Sequence, residues 1–191
     1  MDACCLMPGM TPACRHATEP ESGATGEKMK KKLTVATAVQ AAGILFELNT
    51  GENGVLAMAQ RAKLPCGTDE EKKKLMLEWR AYVHAAVLYG LMVQAPNVVV
   101  VEYLRATQSM LEKLGYAPKE AEDFVDGAFR AYVDPMVRTK TQECPGVFFR
   151  RLLNKDLSEV PADTVAMVSG VMAMIMSAIL DKLEQYEFGI E

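Results

Sequence analysis

The stretch from Thr68 to Pro96, "TDEEKKKLMLEWRAYVHAAVLYGLMVQAP", constrains the fold more than any other. Thr68 precedes Glu71 by three positions. The Thr hydroxyl and the Glu carboxylate can therefore each accept a backbone N–H that a helix start leaves open. Asp69, Glu70 and Glu71 add negative charge where the helix dipole is positive. Leu77, His84, Leu88 and Leu91 then share one helical face, with Met76, Val83, Val87 and Gly90 beside it. Pro96 stops the run. The pattern predicts a helix from Thr68 to about Gln94, roughly 40 Å long. A rod of that length spans a small domain, and other elements must pack along it.

The rest of the chain is punctuated the same way. Leu33 to Leu48 reads as a first helix, closed by Asn49-Thr50-Gly51, and Val55 to Leu64 as a short second one. Asn97 can cap a helix through Val100, Leu104, Thr107, Leu111 and Leu114, with Gly115 as its stop. The run Val98–Val101 has strand propensity, but the helical spacing around it decides for helix. Pro118 suits the first position of a fifth helix, with Phe124, Ala128, Ala131 and Tyr132 facing inward and Pro135 kinking or ending it. A short helix over Val147 to Leu153 follows. The last helix starts after Pro161 and reaches about Phe188. Short links make neighbouring helices antiparallel, so the expected fold is all-α, an up-down bundle of six or seven helices. The 191 residues suit one domain.

Met1 to Lys28 is different in kind. It holds Pro8, Pro12, Pro20, Gly9, Gly23 and Gly26 and lacks apolar periodicity. It is expected to be a disordered or mis-assigned N-terminal extension ahead of one α-helical domain, Met29 to Glu191. Codons for Gly26-Glu27 can spell a purine-rich ribosome-binding sequence just ahead of Met29. Cys4, Cys5, Cys14 and His16 are soft ligands, but their spacing fits no C-x2-C half-site. "MKKKLTVATAVQAAGILFEL" has the outline of a secretory signal peptide. Thr34, Thr37 and Gln40 dilute it, and the apolar pattern continues through Ile44, Leu45, Phe46 and Leu48. A helix of a cytoplasmic protein is the expectation. In an alternating bundle, Cys66 and Cys144 fall at opposite ends, on the order of 30 Å apart, so free thiols are expected.

The formal charge of −4, with Lys28, Lys30, Lys31 and Lys32 as the only dense basic run, argues against a nucleic-acid binder. His84 has no H-x3-H or E-x2-H companion, so it reads as a core or interface histidine rather than a metal ligand. No metal site and no cofactor are expected. Asp126, Arg130 and Asp134 at i,i+4 spacing form an ion-pair ladder on an exposed face. Arg138, Arg150 and Arg151 gather around "ECPGVFFRRLLNK" and form a candidate anion site, although the glycines of a phosphate loop are missing.

The last helix carries the strongest compositional signal. Thr164 to Leu180, "TVAMVSGVMAMIMSAIL", holds no charge. Seventeen residues lie at the bottom of the membrane-spanning range, and "DKLEQYEF" resumes an amphipathic pattern, so a span is disfavoured. An apolar helix must be covered, either at the centre of its own bundle or by a second copy. Ser169, Ala173 and Ser177 form a row of small residues flanked by Met172 and Met176, which are adaptable apolar side chains. This row is the candidate interface of a homodimer. The functional expectation is a cytoplasmic, non-enzymatic interaction or regulatory protein acting as a homodimer. The alternatives are a small-ligand-binding domain or enzyme, its pocket lined by Trp79, Tyr82, His84 and Tyr89, and a membrane-associated protein.

Overall fold

A computed structural model describes residues 30–189. The Cys4, Cys5, Cys14 and His16 cluster, and the expectation for the extension, lie outside the described residues. Eight α-helices follow one another: α1 (Val35–Asn49), α2 (Glu52–Arg61), α3 (Asp69–Gln94), α4 (Asn97–Lys113), α5 (Pro118–Asp123), α6 (Phe129–Val137), α7 (Cys144–Leu153) and α8 (Ala162–Glu184). Two short strands, β1 (Lys31–Leu33) and β2 (Tyr186–Phe188), bracket them.

The capping box of α3 forms as its sequence dictates. The Glu71 N–H donates to Thr68 Oγ1 at 3.2 Å, and Glu71 Oε2 accepts from Thr68 N–H at 3.1 Å and from Gly67 N–H at 2.8 Å. α3 is the hub of the bundle. It packs on α1, α2 and α4 and also on α6, α7 and α8. Ala81, Ala85 and Ala86 are fully buried along it, and these small side chains let neighbouring helices approach. Gly90 is the closest crossing: a Cβ there would stand 2.7 Å from Leu183 Cδ1 and 3.3 Å from Ile179 Cγ2, both on α8.

Several features differ from the sequence expectation. The fifth helix is not one α-helix. α5 passes into a π-helical turn (Phe124–Ala128) and re-emerges as α6, which is why eight helices stand where six or seven were expected. Asn97 does not cap α4: it is the first helical residue, and Pro96 stands at the cap without a side-chain hydrogen bond, while Pro135 sits inside α6 two residues before its end. The all-helical reading also misses a small sheet. The last helix stops at Glu184, and Tyr186–Phe188 pairs in parallel with Lys31–Leu33. Leu33 is therefore the end of a strand, 7% exposed, and Thr34 caps α1 by accepting from Thr37 N–H. Three-residue strands leave too little sequence for an alternating pattern to register.

α8 does not lie at the centre. Only 28% of its most apolar window is buried, because α3 already holds the central place. Val168, Met172, Met176, Ile179 and Leu183 face the core, while Ala166, Gly170, Ala173, Met174 and Ser177 are exposed.

Candidate functional site

His84 occupies the core. Its ring is fully buried on α3 among Phe46, Tyr103, Phe124 and Phe129, with ring centroids 4.9 to 6.0 Å away. Nδ1 lies 3.1 Å from the Tyr103 hydroxyl and Nε2 lies 3.4 Å from Thr107 Oγ1. The Thr107 hydroxyl donates onward to the Tyr103 carbonyl at 2.9 Å. Burial pushes the His84 pKa down to about 3, and it raises the Tyr103 phenol above its ordinary value. The imidazole is held neutral and shielded from solvent. The expected pocket does not form around it. Trp79 is 1% exposed and donates its indole N–H to the Asn49 carbonyl at 3.1 Å. Tyr89 is half-buried against the core. Of the four residues, Tyr82 alone lines one of the cavities described below.

The three arginines of the candidate anion site do not converge. Arg138, one residue past the end of α6, donates its Nε–H to the Asp134 carbonyl of that helix at 3.1 Å. Arg150 pairs with Asp156 at 3.2 Å. Arg151 turns inward instead. Its Nε and Nη2 fork onto Glu78 Oε2 and Oε1 at 2.8 and 3.0 Å. Glu78 is 3% exposed and also accepts from the Tyr132 hydroxyl at 3.1 Å. The hydrogen bond to Glu78 raises the Arg151 pKa, and burial, reinforced by Glu78, raises the Tyr132 phenol well above its usual range. This triad ties α3, α6 and α7 together. One hint of it lies in the sequence: Glu78 shares a face with Leu75, Trp79 and Tyr82, so its carboxylate had to find a buried partner.

Two cavities border these groups. The first, of about 620 Å³, lies between α3 and the π-helical turn. Leu77, Tyr116 and Phe124 give it apolar walls, Arg151 reaches it from α7, and Gly127 forms part of the wall at the turn. A Cβ at Gly127 would meet nothing within 4 Å, and its φ is not positive. Glycine there is demanded neither by packing nor by backbone, although within a helix it costs about 0.5–1 kcal/mol relative to alanine.

The second, of about 480 Å³, is a groove along α8. All five residues of the predicted interface row line it: Ser169, Met172, Ala173, Met176 and Ser177. Tyr82 forms its floor, its hydroxyl donating to the Met172 carbonyl, and Thr141, Gln142 and Pro145 stand opposite. The row is brought together, but its members divide. Met172 and Met176 are buried at 2% and 8% exposure and belong to the core, whereas Ala173 and Ser177 are open to solvent.

Cys66 and Cys144 are both free thiols, and burial pushes the Cys144 pKa up to about 11, which suppresses its thiolate. The Asp126 side chain of the proposed ion-pair ladder lies outside the described residues. Among the described residues, no group of three or more His, Cys, Asp or Glu side chains is placed to hold a metal ion. Comparison with protein-family models, with curated proteins and with solved structures finds no match.

Proposed function

We propose that the chain is a non-enzymatic interaction or regulatory protein that works as a homodimer, with a second copy seated on the outer face and groove of α8. The observation that supports this reading is the exposure of α8. It carries no charge from Thr164 to Leu180, yet Ala166, Met167, Gly170, Ala173, Met174, Ser177 and Ala178 are exposed in the single chain. Contiguous exposed apolar surface on a folded chain marks an interaction site. The exposed stripe is built from small residues, Ala166, Gly170, Ala173 and Ser177, with Met174 among them at 67% exposure. Small residues let a second backbone come close. An uncharged stripe can face its own copy across a two-fold axis without opposing like charges. The free thiols Cys66 and Cys144 accord with a reducing, cytoplasmic setting.

Ala173→Glu tests the proposal. The side chain of Ala173 is exposed, so a glutamate fits the single chain. In a two-fold seam it would set two like charges against apolar surface. By light scattering, the unmodified protein should run at twice the chain mass. The variant should run as a monomer with its helical circular dichroism intact. A monomeric parent protein, or a variant that still dimerises, overturns the proposal.

A second reading rests on one observation: α8 is long and apolar enough to cross a membrane, by length and composition. Flotation of the protein with lipid vesicles, in place of a soluble dimer, would favour it.

A further inference from the structure

The cavity beneath the π-helical turn is independent of the α8 face, and three of its features point to a ligand. It has the volume and the apolar walls, from Leu77, Tyr116 and Phe124, of a small-molecule site. Its wall is a π-helical turn, a geometry that helices adopt rarely and often at functional sites. Its mid-turn residue, Gly127, is exposed, and a Cβ there would meet nothing within 4 Å, so the wall at the turn is bare backbone.

The chemistry of the occupant follows from the charged groups. Glu70, Glu120 and Asp123 oppose Lys73, Lys74 and Arg151, so the lining as a whole selects no sign of charge. Glu120 is engaged by Lys73 at 3.6 Å and by the Ala117 N–H at 2.9 Å, and it is exposed at the rim. Arg151 is the group held in a fixed orientation. Glu78 grips its Nε and Nη2, which leaves the Nη1 edge outside the fork on a side chain 36% exposed. A guanidinium clamped on one edge presents the other as a pre-oriented donor pair for a carboxylate. We infer that this cavity binds a small amphipathic carboxylate, its apolar body along Leu77 and Phe124 and its carboxylate on the free edge of Arg151.

Calorimetric titration with octanoate, octan-1-ol and octylamine tests the assignment, since the three share one apolar body and differ in charge. Octanoate should bind, and octan-1-ol should bind about tenfold more weakly or worse, the difference expected for one charge-assisted hydrogen-bond pair. Octylamine should bind no better than the alcohol. Gly127→Leu should abolish octanoate binding while the thermal midpoint holds or rises, because the new side chain enters open space in a helical turn. Equal binding of alcohol and carboxylate would show that Arg151 does not select the ligand. Preference for the amine would hand selection to the acids. Unchanged octanoate binding in Gly127→Leu would place the ligand elsewhere, for instance on α8. Any of these, or no octanoate binding at all, overturns the inference.

Discussion

A single proton decides what His84 can do. The Tyr103 hydroxyl donates to Nδ1, Nε2–H donates to Thr107, and Thr107 donates to the Tyr103 carbonyl, so the neutral ring satisfies every partner. A second ring proton would point at a hydroxyl already acting as donor, in a fully buried site. The folded pKa of about 3 lies below the unfolded value near 6.5, so the unfolded chain binds more protons between those limits. Stability from this group is therefore full above about pH 6.5 and falls as pH drops toward 3, by up to about 1.4 kcal/mol per pH unit. Denaturant unfolding at pH 7 and pH 5 should show a larger loss for the parent protein than for His84→Gln. Equal losses would mean that the ring is already charged in the fold. Arg151 poses the opposite case. Arg151→Met would leave the Glu78 carboxylate buried with the Tyr132 hydroxyl as its remaining partner. Removing one member of a buried pair typically costs about 3–5 kcal/mol, and half-exposure of Arg151 places this one toward the low end. A thermal midpoint within error of the parent would show that water replaces the guanidinium freely.

At the level of elements, the α3–α8 crossing depends on Gly90 having no side chain. Gly90→Val would drive a branched group into Leu183 and Ile179, both fully buried, and should destabilise by about 1–3 kcal/mol in a chemical melt. An unchanged melt would mean that the two helices can move apart. Which elements the sequence announced, and which it concealed, follows from the range of the forces that make them. The capping box of α3 and the breaks that separate the helices are local, and Thr68, Gly115 and Pro118 could be read directly. The π-helical turn could not. Phe124, Ala128 and Tyr132 are compatible with an unbroken α-helix, and the extra residue per turn is stabilised by packing on α3 that no local pattern encodes. The candidate site divides along the same line. His84 as a core histidine was legible from its face and its lack of companions. The Arg151–Glu78 fork joins α7 to α3 across 73 positions, and adjacent arginines in sequence gave no sign that Arg150 and Arg151 would face opposite ways. The Met-rich row was legible as a set, whereas its division between core and solvent required knowing that α3 takes the centre.

At the scale of the whole molecule, the described fold begins where β1 does. Lys31 is the first residue to pair, and Lys31 N–H donates to the Gln185 carbonyl at 3.2 Å. A chain lacking residues 1–28 should therefore keep its cooperative melt within a degree or two of the full chain, and a collapse of cooperativity by calorimetry would show that the extension takes part in the core. The β1–β2 pair also fixes how the bundle responds to load. Because the strands are parallel, the chain enters β1 at one end of the sheet and leaves β2 at the other. Tension applied through the two exits pulls the strands lengthwise past each other. Their hydrogen bonds then resist together, in shear, instead of opening one by one like a zipper. Six residues thus stand between a pulling force and the helices, so a partner or anchor tugging on either end would meet this clasp before it could unravel α1 or α8.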